Sequence, residues 1–114
     1  MPARFAAGQI LLASITFSDQ TGTKKRPALV IYDEGDDDLL VAPITSHARR
    51  SPYDINLNNW HASGLRLPSV ARLDKIATID KTTIVRSLGR LSPADHQELR
   101  TRLEQLLEAI LAGW

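Results

Sequence analysis

The 114-residue chain has no cysteine, so disulfides, thiolate nucleophiles and thiolate metal ligands play no part in its chemistry. No apolar run approaches the roughly 18 residues of a membrane span, and the N-terminus has no apolar signal-peptide segment. The expected location is cytoplasmic, with no membrane partner. Neither charge sign is in excess. Fourteen Lys and Arg against 13 Asp and Glu give a formal net charge of +1, which excludes a polycation that coats nucleic acid. Internal repeats and low-complexity tracts are absent. The three histidines, His47, His61 and His96, lack the spacing of metal ligands. The acidic stretch 33–38 has the composition of a calcium loop without its alternating ligands or distal glutamate. It reads as a hairpin turn centred on Gly35. No metal and no cofactor is expected.

What the chain does have is a modest core and segregated charge. Its length and a hydrophobic fraction of 43% suit one domain over 1–114. Lys24, Lys25 and Arg26 form one basic cluster and Arg49 with Arg50 another, while Asp33, Glu34, Asp36, Asp37 and Asp38 crowd the acidic turn. A local basic surface is thus available without a global one. The chain is organised around Lys24-Lys25-Arg26-Pro27-Ala28-Leu29-Val30-Ile31. Its four apolar residues read as a buried strand, and Pro27, which cannot donate to a ladder, fits that strand's first position. Arg26 would then stand where the strand leaves the core, either as a solvated cation or as a charge fixed against a phosphate.

In chain order, 1–7 is expected to be a short arm, 8–17 the first strand and 18–25 a loop. After the key strand and the acidic turn, 39–44 reads as a strand whose Pro43 implies a bulge or an edge. Residues 45–51 form a loop of hydroxyls and cations, suited to phosphate contacts or serving as a plain hydrophilic connection. Residues 53–57 alternate as a half-buried strand does, 58–64 form a turn or a single helical turn, and 67–74 are extended. On that strand Arg72 and Asp74 share the face of Val70, roughly 7 Å apart. They read as a surface salt bridge or as an acid–base pair. Short strands over 76–79 and 83–88 flank Asp80 and Lys81.

The final element has the clearest local signals. Ser92 is an N-cap, Pro93 occupies the first helical position, and Asp95 stands at the capping-box site. Leu99, Leu103, Leu106, Leu107, Ile110 and Leu111 recur at helical spacing, with Glu98 and Arg102 in favourable order on the opposite face. Gly113 is placed to close the helix. Such a helix is a lid on a barrel or a dimer seam.

Several of these pieces, in order, resemble the PemK/MazF family of toxin endoribonucleases. They are Gly8 with Ile10, Lys25-Arg26-Pro27-Ala28-Leu29-Val30-Ile31, Pro43-Ile44-Thr45-Ser46, Gly64-Leu65, Pro68-Ser69-Val70-Ala71-Arg72-Leu73-Asp74, Ile76-Ala77-Thr78-Ile79-Asp80 and Gly89 with Leu91-Ser92. The resemblance implies a mainly β fold, a small SH3-like barrel with a C-terminal helix, working as a homodimer. It implies metal-free cleavage of single-stranded RNA and a cognate antitoxin whose tail blocks the groove. Carried over by position, Arg26 and Thr45 match the family's strand arginine and following threonine. In members resembling the toxin Kid, a catalytic arginine and aspartate match Arg72 and Asp74. Lys24, Lys25, Ser46, His47, Arg49, Arg50 and Ser69 would line the RNA path. Kid-like members also use a first-loop histidine; residues 18–25 contain none and offer Gln20 or Lys25 instead.

These residue types suit attack by the RNA's own 2′-OH. Asp74 would take the hydroxyl proton, while Arg72 and Arg26 would stabilise the charged phosphorane through forked donors. Thr45 would add a hydroxyl donor. Arginine's high pKa makes it a poor proton donor, so Arg72 suits electrostatic stabilisation better than acid catalysis. Two alternatives share the expected fold: a CcdB-like gyrase poison, for which the terminal Gly113-Trp114 speaks, and a non-catalytic nucleic-acid-binding module.

Overall fold

The computed structural model describes residues 3–16, 23–47 and 50–114. Its strands are β1 (Gln9–Thr16), β2 (Thr23–Tyr32), β3 (Asp38–Thr45), β4 (Asp54–Leu57), β5 (Ser69–Arg72), β6 (Ala77–Asp80) and β7 (Ile84–Arg90), followed by helix α1 (Pro93–Ala112). All the pairings are antiparallel, in the order β4-β5-β3-β2-β1-β7 with β6 on β3. The mainly β architecture with a C-terminal helix is as expected. The ladder does not close, so the barrel is an open, folded sheet with β4 and β7 at the ends of its path.

The long apolar runs are explained by burial on both faces. Leu11, Ala28, Val30, Leu39 and Val41 pack together on one face of β1–β3. Ile10, Leu29, Ala42 and Ile44 pack on the other with Ile55, Leu57, Ala71, Leu73 and Leu99. A strand covered on both sides loses its polar alternation, which is why Ala28 to Ile31 is continuous. Each large side chain so buried contributes about 1.5–3 kcal/mol.

β2 starts earlier than its sequence suggests. Residues 23–25 were expected in a loop, with Pro27 opening the strand; instead Thr23 to Arg26 pair with β1, Arg26 opposite Ala13 and Pro27 opposite Leu12. The partner on the other edge gives the reason. The β2–β3 ladder stops at the pair Ala28↔Pro43, so the first half of β2 is paired on one side only. Exposed cations and a proline are tolerated on such an edge. The rest of the expected loop lies outside the described residues.

β3 changes partners along its other edge. Asp38 to Val41 pair with β6, Ile44 and Thr45 pair with β5, and Pro43 stands at the switch.

The turn between β2 and β3 is a hairpin turn as expected, with Gly35 at φ +99°, a backbone region that few L-residues adopt. The N-terminal segment is no free arm. Asp33 accepts from the Phe5 and Gly35 backbone N–H groups (both 2.8 Å) and from Lys81 Nζ (3.0 Å). Lys81 Nζ also donates to the Ala3 carbonyl (2.6 Å) and lies 5.8 Å from the centre of the Phe5 ring. The Phe5 N–H bond, together with Lys81, holds the Asp33 carboxyl at about 2, below the usual carboxylate range and against the opposing effect of its covering.

In α1, Ser92 accepts the Asp95 N–H (3.2 Å) as a cap. The Asp95 carboxylate does not complete a capping box. It turns to the Asn58 and Asn59 N–H groups (3.1 and 2.9 Å), tying the 58–64 turns to the helix. Glu98 and Arg102 pair at 3.1 Å. Gly113 ends the helix at φ −89°, outside the left-handed region. Of the apolar stripe Leu99 is buried, whereas Leu107, Ile110 and Leu111 are exposed. Among the described residues no helix is long and apolar enough to cross a membrane.

Candidate nucleic-acid interface

Where the β2–β3 ladder ends, the two strands part. Continuing the register two residues beyond Ala28↔Pro43 sets Arg26 on one side of the opening and Thr45 opposite it on the other. Both line a cleft of about 410 Å³. β1 and β7 add Leu12, Arg86 and Leu88, while the 64–69 segment adds Gly64, Leu65, Arg66, Leu67 and Ser69. Arg86 arrives through register: Leu12 pairs with Pro27 on one side and with Arg86 on the other, so all three present one face. The cleft therefore has an apolar floor and three arginines. That combination suits a chain of bases and phosphates.

The mouth is fixed by backbone. A Cβ on Gly64 (φ +88°) would collide with the Leu88 carbonyl, and one on Gly89 would collide with the Ser63 carbonyl. The two glycines let the 58–65 turns press directly on β7. Ser69 Oγ donates to the Leu67 carbonyl (2.8 Å), which holds the next stretch of the rim.

Thr45 also faces a second, smaller hollow of about 50 Å³, lined by Thr45, His47, Arg50 and Arg72. Its organising group is Asp54, whose side chain is 1% exposed. Asp54 stands directly opposite Arg72 in the β4–β5 ladder. One carboxylate oxygen accepts from Arg72 Nε (3.4 Å) and the other from the Arg50 backbone N–H (2.9 Å). Thr45 Oγ1 accepts the His47 N–H (3.2 Å).

The expected residues fall into three groups. Arg26, Thr45, Ser46 and Ser69 meet in the larger cleft, and Thr45, His47, Arg50 and Arg72 in the smaller one. Lys24 and Lys25 are exposed on β2 outside both linings. Arg49, like Gln20, lies outside the described residues. The shared strand face of Arg72 and Asp74 is a correction: β5 stops at Arg72, and Leu73–Lys75 form a 3₁₀ turn. Leu73 is fully buried there and its N–H bonds the Tyr53 carbonyl (3.0 Å), so the chain leaves the sheet and Asp74 faces solvent. Asp74 lines neither hollow. Arg72 does have a carboxylate partner, but it is Asp54. Arg66, Arg86 and Asp54 were missed, and only the alternation of 53–57 hinted that Asp54 occupies a defined strand face. Among the described residues no group of three His, Asp or Glu side chains is placed to hold a metal ion.

An open antiparallel sheet with a C-terminal helix and a cleft lined by three arginines defines a small β protein with a basic cleft. The chain belongs to the family of PemK-like, MazF-like toxins of type II toxin–antitoxin systems, whose model matches residues 6–107. It is similar to the Mycobacterium tuberculosis toxin MazF-mt6, with 25% identity, a TM-score of 0.72, and 88% of this chain and 96% of that one covered. A MazE–MazF structure from Deinococcus radiodurans has 25% identity and a TM-score of 0.69, covering 90% and 94%. An endoribonuclease in complex with its cognate antitoxin, from a mycobacterial species, shares the fold at 19% identity and a TM-score of 0.73, covering 92% and 96%. No curated protein matches the sequence.

Proposed function

We propose that this toxin is an endoribonuclease that cuts single-stranded RNA without a metal and is silenced by a cognate antitoxin. The observation that carries this reading is that Arg26 and Thr45 line one cleft where the β2–β3 ladder ends, together with two further arginines. The endoribonuclease and MazE–MazF structures that share its fold support it.

In the proposed reaction the 2′-oxygen bonds to phosphorus as the bond to the 5′-oxygen breaks. One proton leaves the 2′-OH for an acceptor and one reaches the departing 5′-oxygen. The products are a 2′,3′-cyclic phosphate and a 5′-OH, and no water is consumed. Arg26 stabilises the charge that develops on the phosphorane oxygens, and Thr45 donates its hydroxyl to one of them, while Arg72, which the family pattern makes catalytic, acts from the adjoining hollow. Asp74 is the proton acceptor that the family pattern suggests. His47 is favoured by position, because it lines the hollow beside Thr45 whereas Asp74 does not, and imidazole is well suited to proton exchange near neutral pH. Substituting each in turn decides between them: the acceptor's loss lowers turnover by about 10²–10⁴-fold and leaves RNA affinity nearly intact.

The working unit in this reading is a homodimer burying on the order of 1,200–2,000 Å² in total. The exposed Leu107, Ile110 and Leu111 on α1 are consistent with such a surface. A monomeric mass by light scattering at micromolar concentration would remove the dimer.

The test of function is digestion of a long unstructured RNA by purified protein in EDTA, with primer extension to map the cuts and analysis of the ends. Discrete cuts with cyclic phosphate ends support the proposal. Loss of cutting on chelation overturns the metal-free mechanism. No cutting, with trapping of gyrase on DNA in a parallel assay, overturns the assignment in favour of a gyrase poison. An acidic antitoxin tail is expected to compete with RNA for the cleft; simultaneous binding without mutual loss of affinity contradicts that.

A further inference from the structure

Asp54 is a nearly wholly buried carboxylate that the proposed reaction does not use. Burying a carboxylate costs free energy unless donors saturate it. Its two oxygens take different donors, Arg72 Nε (3.4 Å) and the Arg50 backbone N–H (2.9 Å). Both donors belong to residues that line the smaller hollow. The carboxylate thus fixes two walls of one concavity from behind. Arg72 spends only its Nε on Asp54, and its side chain remains 29% exposed. The outer edge of a guanidinium held in this way is a forked donor for phosphate oxygens. Thr45 Oγ1 takes the His47 N–H as an acceptor, which leaves its hydroxyl proton to be donated. The hollow, at about 50 Å³, is on the scale of one phosphate group and far too small for a nucleobase with its sugar. Thr45 lines both hollows, so the two adjoin.

We infer that Thr45, His47, Arg50 and Arg72 form a second phosphate subsite, that Asp54 is its positioning residue, and that it takes the RNA phosphodiester next to the one held between Arg26 and Thr45. A backbone crossing at Thr45 would then be gripped at two successive phosphates, and the scissile bond would be located by the spacing between them. This rests on the RNA-cleaving reading, but the subsite itself can be tested without cleavage.

Asp54→Asn keeps the shape and supplies one acceptor where two donors need satisfying. In the wild type, titration with inorganic phosphate should shift the Arg72 Nε–H, Arg50 and His47 resonances in proton–nitrogen spectra. In Asp54→Asn the Arg72 signal should lose its distinct position and the phosphate-induced shifts should disappear. In RNA cleavage, Asp54→Asn and Arg72→Ala should each reduce kcat/KM by about 10–100-fold, the scale of misplacing a reacting group by an ångström. The double substitution should be no worse than the more severe single one, since both remove the same grip. Multiplying losses, or phosphate shifts that persist in a folded Asp54→Asn protein, overturn the positioning role. If Asp54→Asn does not fold, Arg72→Lys replaces it: the charge stays, the fork is lost, and undiminished phosphate shifts overturn the subsite. If the wild type binds phosphate here yet cuts no RNA, the subsite stands and the enzymatic reading falls. If it cuts RNA without phosphate shifts, the reverse holds.

Discussion

The two ends of β3 handle the same chemistry in opposite ways. At the Asp38 end, a carboxylate and an ammonium meet under cover. Asp33 takes two backbone donors and Lys81, while Lys81 also bonds Ala3 and sits beside Phe5. Both side chains are nearly hidden, 2% and 8% exposed, so this pair faces inward and binds the N-terminal segment to the turn. At the Thr45 end, among the described residues, the cations lining the hollows outnumber the carboxylates. Arg26, Arg66 and Arg86 line one hollow and Arg50 with Arg72 the other, and the carboxylate behind them is Asp54. A closed ion pair holds a fold together; an opening lined by cations suits an anionic ligand. One strand thus carries a closed, structural end and an open, cationic end.

The sharpest way to break this contrast is to remove a cation from each end. Arg26→Ala should lower cleavage by about 10²–10⁴-fold while leaving the melting temperature within a degree or two, because exposed cations contribute little to stability. Lys81→Met should do the opposite, lowering the melting temperature by roughly 4–8 °C in a domain of this size and sparing the catalytic rate of the folded protein. Equal thermal loss in both variants, read by calorimetry, would erase the distinction between the two ends.

Salt gives a finer measure. Affinity for single-stranded RNA should fall with ionic strength, and removing Arg86 or Arg50 should each reduce the slope of log affinity against log salt by about 0.7. Lys81→Met should leave that slope alone. A slope unaltered by Arg86→Ala would take that residue off the phosphate path.

The smallest effect belongs to acid. Asp33 titrates at about 2 when folded, below its ordinary 3.8. A depressed carboxyl stabilises the fold at pH values above its unfolded pKa, and that contribution is lost as the pH falls through the folded value. The stability difference between wild type and Asp33→Asn should therefore be constant near neutrality and shrink between about pH 4 and pH 2. A difference that stays level across that window, measured by denaturant titration, would show that Asp33 works by shape alone.

The legible parts of the sequence were those written in local chemistry. Ser92 and Pro93 announce α1 within two residues, and Gly35 marks its turn without reference to the rest of the chain. Arg26 and Thr45 could be singled out, yet nothing local shows that they line one cleft; that follows from a ladder that ends at Ala28 and Pro43. Lys24 and Lys25 looked like loop because charge usually marks loops, whereas here it marks a strand with one neighbour. Arg86 enters the cleft through a pairing with Leu12, 74 positions away in sequence. Asp74 was misplaced because its neighbour Leu73 leaves the sheet to reach the core, a preference set by packing and invisible to alternation. Long-range register was the missing information for Arg26, Thr45 and Arg86, and core packing for Asp74.

The contact of Gly64 and Gly89 with the backbone opposite has a consequence for how this cleft can vary. Its aperture is gauged by main chain against main chain, with hydrogen atoms as the only spacers. Side chains such as Leu65, Leu67 and Leu88 merely furnish the interior. Furniture can be exchanged while the doorway keeps its width, so on the proposed RNA-cleaving reading a change in which bases are welcome does not require a change in how the strand is admitted. A methyl group at either glycine would do the reverse, wedging the doorway while leaving every furnishing in place.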